Sequence, residues 1–241
     1  MKNFIDWNSL QFKKSSGNEK MKCPSCGPDR TDKRDKSLSI KHGEGFGKCH
    51  YCEALTFRDS DQKAITENYT DINQKSFKAV LKDEKWLSYV SSRGISKTTL
   101  DALYVSFERY YQPAQSKEID NIVFNYYEGS ILVNKKFRSS NKKFTQISGA
   151  KPIFYNINSV IGQKKVYIVE GEFDVCAMVE AGYKNTISVP NGANDNDDYW
   201  KNSEKYLKDI KQFIIAVDND EKGNILRDKI AQRLGRYRCK F

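Results

Sequence analysis

The sequence predicts an α/β chain in three parts: a small β-hairpin ribbon at the N-terminus, a mixed α+β section, and a C-terminal parallel α/β sheet. Three observations predict it. Two C-x-x-C pairs lie in a stretch rich in glycine and poor in apolar residues. Three runs of β-branched and aromatic residues then follow one another with turn residues between them. Residues 166–241 alternate short apolar runs with helical patterns.

The bulk composition limits the reading before any motif does. The chain has 241 residues with 41 Lys+Arg against 31 Asp+Glu, a net charge of +10. Its 14 Tyr, 13 Phe and 3 Trp are too many for a disordered tail. Val175–Val179 and Phe213–Val217 are the longest apolar runs, far short of the roughly 20 residues of a membrane helix, so no membrane partner is expected. Met1–Leu10 carries no apolar targeting segment, and the expected location is the cytoplasm. In that reducing compartment six cysteines read as metal ligands rather than disulfides.

Residues 1–58 hold the first part. Cys23-Pro-Ser-Cys26 and Cys49-His-Tyr-Cys52 each present two thiolates to one ion, and a hairpin of Ser37–His42 with Phe46–Cys49, turning at Gly43-Glu44-Gly45, brings the pairs together. That is the pattern of a zinc ribbon, with a closed, structural zinc site; iron in the same geometry and two disulfides are the alternatives. His42 and His50 are read as solvated loop residues, with metal ligation or base reading as the alternative. Arg34, Lys41, His42, Phe46 and Lys48 could read DNA or merely cover the hairpin. Cys176 is read as core and Cys239 has no partner turn.

Residues 59–84 are polar and aperiodic and read as a linker. In residues 85–165, Trp86, Leu87 and Val90 form one helical face, Gly94 stops it, and Ser96 caps a second helix running to Leu103. Strands are expected at Ile122–Tyr127, Ile131–Arg138 and Lys143–Ile147, with turns at Glu128-Gly129 and Ser139–Asn141. Alternation puts Lys136 and Arg138 on one face and Phe137 on the other, with Lys135, Lys142 and Lys143 beside them. Gly129–Val169 contains eight Lys/Arg and no acid, the footprint of a phosphate-rich partner.

In residues 166–241, strands at Val166–Val169, Thr186–Val189 and Phe213–Val217 alternate with helices at Phe173–Ala181, Tyr199–Ile210 and Gly223–Leu234. Glu170-Gly171-Glu172-Phe173-Asp174 and Asp218-Asn219-Asp220 each follow a strand, at the end where parallel sheets bind ligands. Glu170, Asp218 and Asp220 brought together without an intervening lysine would repel unless a hard cation such as Mg²⁺ lay among them. Arg236–Phe241 alternate like the start of a fourth strand, so the sheet is expected to be incomplete.

In this order the motifs resemble the N-terminal primase half of the bacteriophage primase-helicases, whose mitochondrial relative is Twinkle. They are C-x-x-C twice, K-x-R-x-x-x-K, E-G-E-x-D after a strand and D-x-D-x-x-G after another. The resemblance implies a TOPRIM fold for the last section and the other half of an RNA polymerase domain before it. It implies Mg²⁺ held by Glu170, Asp218 and Asp220 as catalytic residues, with Glu170 doubling as a general base. Lys136, Arg138, Lys142 and Lys143 would hold nucleotide phosphates and template. The zinc module of Cys23, Cys26, Cys49 and Cys52 would read a short template sequence. The implied activity is RNA primer synthesis on single-stranded DNA from ribonucleoside triphosphates, alongside a replicative helicase, in the host cytoplasm if phage-encoded. Family members continue into another acidic motif, so the chain is expected to be a fragment. The alternative is a non-catalytic single-stranded DNA-binding module with Tyr126, Tyr127 and Phe137 as stacking groups.

Overall fold

The structure, a computed structural model, describes residues 5–32, 36–52, 54–58, 69–73, 75–80, 83–192 and 197–241. The chain divides into two compact units, Met1–Asn68 with Gly129–Ile131 and Tyr69–Glu128 with Leu132–Phe241.

The smaller unit is a four-stranded antiparallel sheet of β1 (Asn18–Met21), β2 (Leu38–Lys41), β3 (Phe46–Cys49) and β4 (Leu55–Phe57), paired in sequence order. The expected hairpin is β2–β3, its register running from Leu38 opposite Cys49 to Lys41 opposite Phe46. A 3₁₀ turn at His42–Glu44 closes on Gly45 at φ +63°. Strand β1 gives no sequence signal because Asn-Glu-Lys-Met has weak β-propensity, and its pairing with β2 carries it instead. Ile5, Trp7, Leu38, Ile40 and Ala54 pack with Cys23 and Cys49 into one core, so the cysteines are part of the apolar interior.

The larger unit contains two sheets. The first, ordered β5-β6-β7-β8-β9, is built from β5 (Lys78–Ala79), β6 (Val105–Gln112), β7 (Lys117–Glu128), β8 (Ile131–Arg138) and β9 (Phe144–Gln146). Before β6 come helices α1 (Glu84–Ser91), which buries Trp86 and Val90, and α2 (Lys97–Ala102), whose N-cap Ser96 accepts a bond from Thr99 N–H. Strand β6 escapes the sequence reading because it buries Val105, Glu108 and Gln112, a spacing that is not alternation. Within the stretch read as a linker, residues 59–68, 74, 81 and 82 lie outside the described residues. Ile72 in that stretch is fully buried against Val123, Phe137 and Ile147, and Lys78–Ala79 pairs with β6.

The second sheet is parallel, ordered β11-β10-β12-β13, from β10 (Lys165–Val169), β11 (Thr186–Ser188), β12 (Gln212–Ala216) and β13 (Cys239–Lys240). Helices α3 (Glu172–Glu180), α4 (Asp197–Leu207) and α5 (Glu221–Leu234) join them. Val166, Ile168, Phe213 and Ile215 form its core with Val175, Leu226 and Ile230, and Cys176 is fully buried, as read. The fourth strand is present but starts later than the alternation of Arg236–Phe241 suggests: Arg236–Arg238 form a 3₁₀ turn, and pairing begins at Cys239 beside Phe213. The fold class is thus the one expected: a cysteine-bearing ribbon, a mixed section and a parallel sheet. Among the described residues no helix is long and apolar enough to cross a membrane.

Candidate functional site

In the smaller unit the four cysteines converge. Cys23 Sγ lies 3.7 Å from Cys52 Sγ and Cys26 Sγ 3.7 Å from Cys49 Sγ, with all four sulfurs within 4.8 Å of one another. Sulfurs about 2.3 Å from a central zinc define a tetrahedron with edges near ~3.8 Å, so the cluster fits the ion with little adjustment. The surroundings favour ionisation unequally. Burial opposes it at Cys49, but the Ser37 hydroxyl and the backbone N–H groups of Cys52 and Tyr51 outweigh burial and bring the thiol down to about 6. Cys23, with burial dominant, is pushed up to about 12. Gly27 closes the first knuckle by donating its N–H to the Cys23 carbonyl at 2.8 Å, and a Cβ there would lie 2.4 Å from that oxygen.

His42 is not the solvated residue the sequence suggested. It is buried against the rings of Trp7 and Phe12, with Nε2 3.1 Å from Glu19 Oε2, and Glu19 also accepts the backbone N–H groups of Lys13 and Lys14. His50 is exposed, its Nε2 2.8 Å from Ser39 Oγ. Lys41 pairs with Glu44 at 3.0 Å, and Arg34 lies outside the described residues.

In the larger unit, a cleft of ≈ 720 Å³ is lined by Lys136 of β8, Phe144, Thr145 and Gln146 of β9, Glu170, Gly171 and Glu172 after β10, and Pro190–Gly192 after β11. It lies at the carboxyl ends of β10 and β11, where a parallel sheet leaves room for a ligand. The loop acids divide into three tasks. Glu170 faces the cleft; burial, followed by the charges of Asp218 and Asp220, raises its carboxyl above the usual range, and its Oε2 is buried without a hydrogen-bond partner. Glu172 is fully enclosed, accepting from Tyr126 OH and from Lys136 Nζ at 2.8 Å. Asp174 turns back to accept the Gly171 N–H at 2.8 Å, capping α3.

Asp218 and Asp220 follow β12 and stand exposed. Asp220 caps α5, its Oδ1 taking the Gly223 N–H at 2.7 Å, which leaves the other oxygen for a ligand. A Cβ on Gly223 would come 1.9 Å from the Asp218 carbonyl, so the glycine of D-x-D-x-x-G is what lets the acidic turn fold onto the helix. Among the described residues the cysteines alone are gathered tightly enough to share an ion without rearrangement. The carboxylates interact through charge but stay apart. An orphaned buried oxygen and a carboxyl raised by neighbouring charges suit a hard cation.

The basic residues need correction. Lys136 and Arg138 share a face, and Phe137 packs on the other, stacked on Tyr110 at 4.0 Å; but that basic face is not open to solvent. Lys136 is held by Glu172 and by the Pro190 carbonyl at 2.7 Å, and Arg138 by Tyr89 OH at 3.0 Å and the ring of Phe173. Lys135 pairs with buried Glu108 at 2.5 Å. Lys142, in the left-handed region at φ +60°, and Lys143 are exposed at the β8–β9 turn. Tyr126 and Phe137 are fully buried and so unavailable as stacking groups of a non-catalytic DNA-binding reading, while Tyr127 is half-buried against Tyr104. Sequence reasoning missed the roles of Glu172, Glu108 and Glu19. The E-G-E spacing was visible, but nothing in it named Lys136 as the partner.

Comparison with known proteins places these features. Residues 164–241 match the Toprim domain model. The chain is 36% identical over 165 residues to the Twinkle homolog protein, chloroplastic/mitochondrial, of Arabidopsis thaliana, and 34% identical over 168 residues to the Primase homolog protein of the same plant. Each match covers 63% of this chain, but only 22% and 47% of the respective relatives. The fold is similar to the primase fragment of the bacteriophage T7 primase-helicase, with TM-score 0.57 and 20% identity over 92% of this chain and 88% of that one. It is also similar to the zinc-binding and RNA polymerase domains of the Aquifex aeolicus primase, with TM-score 0.51 and 14% identity over 94% and 72%. Residues 164–241 thus match the Toprim domain, about two thirds of the chain is similar in sequence to Twinkle and primase homologues, and the fold is similar to that of a phage primase fragment.

Proposed function

We propose that this chain is a DNA primase: it joins ribonucleoside triphosphates into short RNA primers on a single-stranded DNA template and works beside a replicative helicase. The observation that carries the reading is the cleft in which Glu170, with its orphaned oxygen, and Lys136 meet at the carboxyl ends of parallel strands. Glu170, Asp218 and Asp220 would hold Mg²⁺, which when bound supplies charge neutralisation for the triphosphate and activation of the attacking hydroxyl. Lys136 binds a phosphate oxygen, and the exposed Lys142 and Lys143 meet template or triphosphate. The 3′-hydroxyl of one nucleotide attacks the α-phosphate of the other, forming the P–O bond as pyrophosphate leaves. The hydroxyl proton passes to Glu170, a carboxylate that lines the cleft. Zinc on the four cysteines is structural, since a tetrathiolate leaves no position for substrate. Its module would read the template, in a reducing compartment such as the cytoplasm.

The test is oligoribonucleotide synthesis by the full chain on single-stranded templates carrying every trinucleotide, with labelled ribonucleotides and Mg²⁺. The reading predicts product on a subset of templates and its loss with Asp218→Ala. Absence of product on every template, or undiminished product from the variant, defeats it.

A further inference from the structure

An ammonium group has three N–H donors, and on Lys136 two have protein partners: Glu172 Oε1 at 2.8 Å and the Pro190 carbonyl at 2.7 Å. Lys136 nevertheless lines the cleft, its Nζ 5.0 Å from the ring of Phe144 on the same wall, and the remaining donor is the one a ligand there could take. The residue behind it is equally fixed. Glu172 is 3% exposed, sits in the first turn of α3 where the helix dipole favours an anion, and accepts from the hydroxyl of fully buried Tyr126. Burial and the charge of Glu172 push the Tyr126 phenol well up, so it stays protonated and donates. A chain of three groups therefore runs from the interior to the cleft wall, each oriented by the one behind it.

We infer that Glu172 is a positioning residue that acts through Lys136 to set the cleft's affinity for a phosphate group of a nucleoside triphosphate. The inference rests on the cleft being the nucleotide site proposed above. A four-carbon stem leaves a lysine many positions, and two fixed acceptors reduce these to one before the ligand arrives. If Glu172 merely balanced a buried charge, its removal would change stability and leave nucleotide affinity alone.

The test measures equilibrium binding of ATP with Mg²⁺ to the full chain, together with KM and kcat for primer synthesis. Glu172→Gln keeps the volume and an acceptor oxygen but removes the charge; its Kd and KM are expected to rise about ten-fold with kcat unchanged. Tyr126→Phe should shift both in the same direction by less. Lys136→Met should weaken binding at least as much as Glu172→Gln, and adding Glu172→Gln to Lys136→Met should weaken it no further. That pair of variants carries the test even where Glu172→Gln alone fails to fold, because together they remove both buried charges. Equal losses from Glu172→Gln with and without Lys136, or an unchanged Kd, overturn the inference. A chain that binds ATP through Lys136 and Glu172 yet makes no primer defeats the proposed function and leaves the inference standing; a chain that binds no ATP overturns both.

Discussion

The two sites differ in how much of each exists before a ligand arrives. In the smaller unit, four sulfurs already lie within 4.8 Å of one another, set in an apolar core that also contains Trp7, Leu38 and Ile40. In the larger unit, Asp218 and Asp220 remain exposed, Asp220 is partly engaged as a helix cap, and Glu170 is raised by burial and then by their charge. Thiols can approach one another while protonated, so a thiolate site can be assembled by packing. Carboxylates at neutral pH cannot, so a site built from them stays open until a cation neutralises it. The closed arrangement suits a structural role and the open one a site where substrate must share the ion.

The comparison can be broken at several points. The largest effect is expected at the sulfur cluster. Cys49→Ser, or a strong chelator, should remove bound zinc and unfold the smaller unit, since structural zinc contributes on the order of 10 kcal/mol to such small domains; metal analysis with circular dichroism would show it. If the ribbon instead stays folded without metal, its apolar core is sufficient and the cluster is not what holds it. In the larger unit, Asp218→Asn should lower primer synthesis by about 10³-fold without lowering the melting temperature, because the side chain is exposed and its removal relieves repulsion with Glu170. Gly223→Ala should cost about 3 kcal/mol in denaturant unfolding, because its Cβ would collide with the Asp218 carbonyl.

The smallest effect concerns pH. The folded-state carboxyl of Glu170 is raised, so its contribution to stability is fully present below the ordinary carboxylate range and is lost as pH rises through its raised value. Without divalent cations, stability should therefore fall across that interval. Glu170→Gln should flatten the fall, and Mg²⁺ should reverse it in the unsubstituted chain. Melting curves across pH with and without Mg²⁺ would show all three, and a flat profile for the unsubstituted chain would remove electrostatic crowding from the account.

What the sequence revealed and what it hid follow from the same physics. The cysteine pairs, the apolar runs of β10 and β12 and the D-x-D-x-x-G turn were legible because each is a local pattern: two ligands on one knuckle, a strand buried on both faces, a cap and a glycine at fixed spacing. Strands β1 and β6 were not, because Glu19 and Glu108 occupy buried positions that a pattern of polar and apolar residues reads as surface. Those acids are buried because His42, 23 residues away, hydrogen-bonds Glu19 and the ammonium of Lys135, 27 residues away, pairs with Glu108. The basic face failed for the same reason. Lys136 and Arg138 have the right spacing for a surface stripe, but Glu172 and Tyr89 take them inside, and pairing at such sequence distance leaves no periodic trace.

The measurement that tests the account most directly is dinucleotide formation from two ribonucleoside triphosphates on a single-stranded template, run with and without Mg²⁺ on the chain and on its Glu170→Gln form. The account predicts Mg²⁺-dependent dinucleotide from the chain and a loss of about 10²-fold or more on substituting Glu170. Product that forms equally well from both proteins, or from neither, would contradict it.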